Sequence, residues 1–218
     1  MTKAYLPSVT RHPSPVTRVK ICGLTRRDDA LWAAEAGADA LGFVFAPRSR
    51  RRADPEVVAR TVGELPPFVT AVGVFQDQPP EEVRGVVRGC GLGLAQLHGA
   101  EDAAYAANLG VPVLKAVGLG RREDLALLDA YPGLSAFLLD APVGGSGRNF
   151  DWEWAVEAGR RARIVLAGGL NPDNVAEAVL RVRPWAVDTC TGTEKSPGLK
   201  DPEKVRLFIE RAKWTGCA

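Results

Sequence analysis

Two side chains far apart in the chain, Cys22 and Asp140, are of the types that move protons, and each stands where a strand gives way to a loop. Asp140 ends an apolar run of strand length, residues 136–139, and Gly144, Gly145, Ser146 and Gly147 follow in a loop that also carries Arg148. A carboxyl on the last residue of a buried strand suits proton transfer, and glycines that leave backbone N–H groups unobstructed suit phosphate. The plainer alternative is a capping aspartate and a flexible turn. Cys22 closes the run VKIC two residues after Lys20, so thiol and ammonium project from the same side of a strand. A neighbouring cation favours the thiolate, which makes Cys22 a base or a nucleophile; otherwise it is a small buried hydrophobe.

Further groups recur at corresponding places. Arg48, Arg50, Arg51 and Arg52 crowd one loop, where one guanidinium could hold a carboxylate bidentately while the others form a solvated face. His98 follows the run LGLAQL and reads as a polar pocket wall rather than a catalyst. Asp77 and Asp188 also end apolar runs. Gly168 and Gly169, then Thr191 and Gly192, occupy consecutive turns whose free N–H groups suit a phosphate dianion. No histidine or cysteine spacing offers a metal site.

The elements that must position these groups read as alternating strands and helices. Strands fit residues 19–22, 40–45, 68–75, 92–97, 111–117, 136–139, 163–167 and 185–188. Helices fit 28–36, 55–62, 80–89, 122–130, 152–161, 171–180, with Asn171 as its N-cap, and 202–213, capped by Asp201. Strands apolar on both faces imply a parallel sheet, and about eight β/α units in this length fit a single-domain α/β TIM barrel, (β/α)₈, small for its class. A doubly wound open sheet is the alternative, but GxGxxG is absent after the first strand. In a barrel the candidate residues gather at one mouth.

Composition sets the outer bounds. The chain has 218 residues, 46% hydrophobic and 25% charged, with a net charge of +2, too near balance to imply nucleic acid. Four scattered cysteines and no apolar run of spanning length point to a cytoplasmic protein with no membrane partner. Residues 1–18, with three prolines and no acid, read as a short flexible arm before a barrel over 19–218. A small-molecule ligand and a monomer or homodimer are expected.

Seven stretches in order, VKICGLT, GFVFAPRSRR, VGVFQDQ, QLHG, LLDAPVGGSGRNFDW, LAGGLNPDNV and DTCTGTE with SPGLKD, resemble the phosphoribosylanthranilate isomerases of tryptophan biosynthesis. The likeness runs from residue 19 to the last helix. It implies an Amadori rearrangement of a phosphosugar without cofactor, with Cys22 as general base and Asp140 as general acid. It assigns Arg51 to the substrate carboxylate, Lys20, His98 and Asp188 to the pocket, and Gly145, Ser146, Gly147, Gly168, Gly169, Thr191 and Gly192 to the phosphate. Arg50 fills the place of a family proline and is the alternative carboxylate ligand. Cys190 stands where the family pattern has serine, a poorer hydrogen-bond donor. Two rival readings are another phosphosugar barrel enzyme, such as an epimerase or an indole-glycerol-phosphate synthase, and a non-catalytic phosphate or nucleic-acid module.

Overall fold

The computed structural model describes residues 16–134, 136–141 and 151–214. Eight parallel strands close into a barrel in sequence order: β1 (Arg18–Ile21), β2 (Ala40–Val44), β3 (Thr70–Phe75), β4 (Leu94–Leu97), β5 (Val113–Gly118), β6 (Ala136–Asp140), β7 (Arg163–Leu166) and β8 (Ala186–Thr189). Around it lie α1 (Arg27–Glu35), α2 (Pro55–Gly63), α3 (Pro80–Gly89), α4 (Ala103–Asn108), α5 (Trp152–Gly159), α6 (Val175–Val182) and α7 (Pro202–Trp214). A 3₁₀ helix, Arg122–Leu128, stands where the sequence reads as an α-helix over 122–130.

Strand period sorts the side chains into two cores. Odd-numbered residues such as Val19, Ile21, Phe43, Phe75, Leu97, Phe137 and Val187 face the helices and are buried among them. The alternate residues of each strand face the barrel axis, where Leu114, Ala116, Leu138, Val165, Ala167 and Ala186 form a small apolar cluster; in β7 the numbering is inverted, Ile164 and Leu166 facing the helices. Lys20, Gln96, Asp140 and Asp188 share that interior and are buried too.

Local chemistry sets the ends. Asp54, Asp102, Asp151 and Asp201 accept hydrogen bonds from N–H groups in the first turns of α2, α4, α5 and α7. The helix expected from Asn171 begins at Val175 instead. Asn171 Oδ1 accepts from Asp173 N, and Asn174 Oδ1 from Asn171 N, a reciprocal turn that precedes the helix. Two elements escaped the sequence reading: α4, six residues of mostly alanine, and a hairpin of β9 (Glu194–Ser196) with β10 (Leu199–Lys200) after the barrel closes.

Candidate functional site

Register builds one half of the site. β1 and β8 pair with Lys20 opposite Asp188, and their side chains meet inside the barrel, Nζ to Oδ1 2.8 Å. Cys22 extends the same face by one step, its N–H donating to Thr189 O at 2.8 Å. Gly42, on the neighbouring β2, leaves the space these groups fill. A Cβ there would lie 2.7 Å from Cys22 Sγ and 3.1 Å from Lys20 Nζ, so any larger residue would displace the thiol.

The electrostatics follow from that crowding. The neighbouring Cys190 thiol, together with the Lys20 and Lys200 charges, outweighs burial and holds Cys22 well below the ordinary thiol range, while Cys190 Sγ itself donates a long hydrogen bond to Glu194 Oε1, 3.9 Å. The Cys22 neighbour, with burial, pushes Cys190 upward. Burial works to lower Lys20, but the charges of Asp188 and Cys22 overcome it and keep the ammonium protonated. Burial pushes the Asp188 carboxyl up to about 6 despite Lys20, with the Cys22 and Asp140 charges adding to the rise.

Asp140 ends β6 with its side chain 12% exposed, and Oδ1 accepts from Ala141 N at 2.8 Å. Its Oδ2 lies 3.5 Å from His98 Nε2, while His98 Nδ1 is 3.1 Å from Gln96 Nε2. With the Gln96 amide donating, the ring N–H is assigned to Nε2, facing the acid. The structure thus brings together Lys20, Cys22 and Asp188 on one side of the mouth, and His98 with Asp140 on another.

Of the four loop arginines, Arg48, Arg50 and Arg52 are exposed and only Arg51 turns inward. Arg51 forms a bidentate pair with Glu194, Nε to Oε1 and Nη2 to Oε2 both 2.8 Å. Glu194 also takes Lys200 Nζ at 3.3 Å and Gly198 N at 3.2 Å; against burial, these partners hold its carboxyl below the usual range. Sequence reasoning missed both Glu194 and Lys200. Glu194 closes the motif DTCTGTE and carried that much signal; Lys200, wholly buried and bonded to Cys190 O at 2.8 Å, carried none.

The turns after β7 and β8 lie against each other. Gly168 and Gly169 are both left-handed, at φ of 79° and 69°. A Cβ on Gly192 would collide with Leu170 O, so only glycine permits this approach. Thr191 opens a 3₁₀ turn, Thr191–Thr193, beside it. Gly145, Ser146 and Gly147 lie outside the described residues. Asp77, just past β3 and in a left-handed conformation, φ 56°, accepts from Ala100 N and ties down the loop after His98. Among the described residues no three His, Cys, Asp or Glu side chains are grouped as metal ligands.

Comparison with known proteins places this geometry. A family model described as N-(5'phosphoribosyl)anthranilate (PRA) isomerase matches residues 19–211. The N-(5'-phosphoribosyl)anthranilate isomerase of Geobacter sp. (strain M21) is 54% identical over 202 residues, 91% of this chain and 98% of that one. The crystal structure of phosphoribosyl anthranilate isomerase from Thermus thermophilus superposes with a TM-score of 0.82 at 46% identity, covering 89% of this chain and 98% of that one. A phosphoribosyl anthranilate isomerase in complex with reduced 1-(o-carboxyphenylamino)-1-deoxyribulose 5-phosphate gives a TM-score of 0.83 at 42% identity, covering 90% and 98%.

Proposed function

The chain belongs to the N-(5'-phosphoribosyl)anthranilate isomerase family, and from that premise we propose that Cys22 is its general base and Asp140 its general acid. The reaction is the Amadori rearrangement of N-(5'-phosphoribosyl)anthranilate to 1-(o-carboxyphenylamino)-1-deoxyribulose 5-phosphate in tryptophan biosynthesis. Asp140 gives its proton to the furanose ring oxygen as the bond from C1 to that oxygen breaks, leaving an iminium. The Cys22 thiolate takes the proton from C2, and the released electron pair neutralises the iminium to an enolamine. Protonation at C1 and loss of the hydroxyl proton at C2 complete the ketone.

The observation that carries this reading is the Cys22 sulfur beside the Lys20 ammonium in the space left by Gly42. A cation there stabilises thiolate and leaves it beside the reacting carbon of a bound sugar. His98, within 3.5 Å of Asp140, orients the acid. Arg51 takes the anthranilate carboxylate through its Nη1 end, the end not committed to Glu194, and this inward position favours it over exposed Arg50. Gly168, Gly169, Thr191 and Gly192 hold the phosphate through backbone N–H groups. Thiols Cys22, Cys90 and Cys190, all unpaired, support a reducing cytoplasm as the working compartment.

Cys22→Ala and Asp140→Asn test the two roles. Each lowers turnover by roughly 10²–10⁴-fold, the span of a positioned acid or base, with the circular dichroism spectrum unchanged. Near-normal turnover in either variant removes that residue from its role.

A further inference from the structure

The reaction uses one thiol of the mouth, yet a second one faces it. We infer that Cys22 and Cys190 form a reversible disulfide, which makes the barrel mouth a redox-modification site. The geometry comes from the register. β1 and β8 are parallel neighbours whose last paired residues are Ile21 and Thr189, and the bond from Cys22 N to Thr189 O, 2.8 Å, holds Cys22 against the end of β8. Cys22 and Cys190 are therefore the next facing pair. Two residues earlier, Lys20 and Asp188 touch across the same strands, so this parity projects to a shared face. Neighbouring strands run about 4.8 Å apart, inside the range of about 4.4–6.8 Å that Cα atoms of a disulfide span.

The surroundings agree. Cys22 and Cys190 are free thiols, and the Cys190 sulfur lies against Gly23, the residue that follows Cys22: a Cβ there would be 2.6 Å from it. Cys90, the remaining described cysteine, is turned away, its Sγ donating to Pro55 O at 3.4 Å. Cys190 is half-buried and Cys22 buried, so the pair is reached from the Cys190 side. The oxidant we name is a peroxide. The Cys22 thiolate attacks one peroxide oxygen, the S–O bond forms as the O–O bond breaks, and the departing hydroxide takes a proton to leave as water. With Cys22 now a neutral sulfenic acid, the anion that opposed ionisation of Cys190 is gone, and the nearby Lys200 and Arg51 charges favour its thiolate. Its sulfur attacks the sulfenic sulfur, the S–S bond forms, and the second hydroxide leaves as water. Two thiols are oxidised and one peroxide is reduced to two waters. The bond diverts Cys22 from irreversible oxidation to sulfinic acid.

The loss of activity that this bond causes rests on Cys22 being the base; the bond itself does not. The experiment treats the full chain with hydrogen peroxide, alkylates it, and maps it by mass spectrometry after trypsin without reductant. The expected product is peptide 21–26 joined to peptide 182–195, with the chain lighter by two hydrogens. Turnover falls by at least about 10²-fold and dithiothreitol restores it. In Cys190→Ser, Cys22 instead gains two oxygens, and dithiothreitol restores none of the turnover lost relative to that variant's own untreated rate. Oxygen uptake at Cys22 in the wild type without the joined peptides overturns the inference, as does linkage of Cys22 to Cys90 or Cys217. Joined peptides with turnover retained uphold the bond and overturn Cys22 as the base.

Discussion

Lys20–Asp188 and Lys115–Glu101 are both buried lysine–carboxylate pairs, 2.8 and 2.9 Å long with side chains at most 9% exposed, on opposite faces of one sheet. Lys115 points out of the barrel towards the helices, and its partner is saturated: Glu101 also accepts Asp77 N and Gly99 N at 2.9 Å each, while Lys115 Nζ donates to Gly99 O at 2.6 Å. Every member is tied to backbone, so the knot fixes the loop after β4. Inside the barrel, Asp188 takes its hydrogen bond from Lys20 alone among the described residues, and burial leaves its carboxyl at about 6. The same ion-pair chemistry is locked where backbone completes it, and left with a raised carboxyl where it borders a thiol.

The contrast breaks most visibly outside the barrel. Lys115→Met strands the Glu101 carboxylate and costs about 3–5 kcal/mol of stability in denaturant unfolding, with kcat of the folded fraction lowered less than tenfold. Lys20→Met does the reverse. It lowers turnover by roughly 10²-fold, and the acidic limb of the pH–rate profile moves to higher pH, because Cys22 loses a cation that favours its thiolate.

Proton linkage sharpens the comparison by a smaller amount. Because the folded Asp188 carboxyl is raised from 3.8 to about 6, the folded state binds more protons than the unfolded one between those values, and stability falls as pH rises through them. Wild type minus Asp188→Asn stability, from urea melts, therefore grows on going from pH 7 to 4 by up to about 3 kcal/mol. Cys22 has the opposite sign: its contribution is full above the ordinary thiol value and is lost as pH falls through the lowered folded one. The smallest effect belongs to His98→Ala. The 3.5 Å contact with Asp140 is long, so kcat falls less than tenfold, about 1 kcal/mol in the barrier.

Much of this was legible beforehand because strands and chemistry leave local marks. Apolar runs ending in Cys22, Asp140 and Asp188 announced both the barrel and its rim, since parallel strands buried on two faces have few polar residues until the chain leaves the sheet. Pro at the start of α2 and α3 and Asp201 before α7 fixed helix starts to within a residue or two. The misses have physical reasons. α4 is too short and too uniformly small to show a 3.6-residue period, and the turn before α6 uses the same Asn and Pro signals as a helix cap.

Local marks cannot report what meets what. The pairing of Arg51 with Glu194 joins residues 143 apart, and it decides which of four adjacent arginines turns inward. Cys190 read as a weakened donor in a phosphate turn; closure of β8 onto β1 made it the neighbour of Cys22. The sequence by itself determined the periodicity, the buried faces and the reactive types at strand ends, because those depend on residues a few positions apart. Only the tertiary structure decided the partners, and with them the protonation of Cys22 and Asp188, because burial and charge proximity exist only once the barrel has closed.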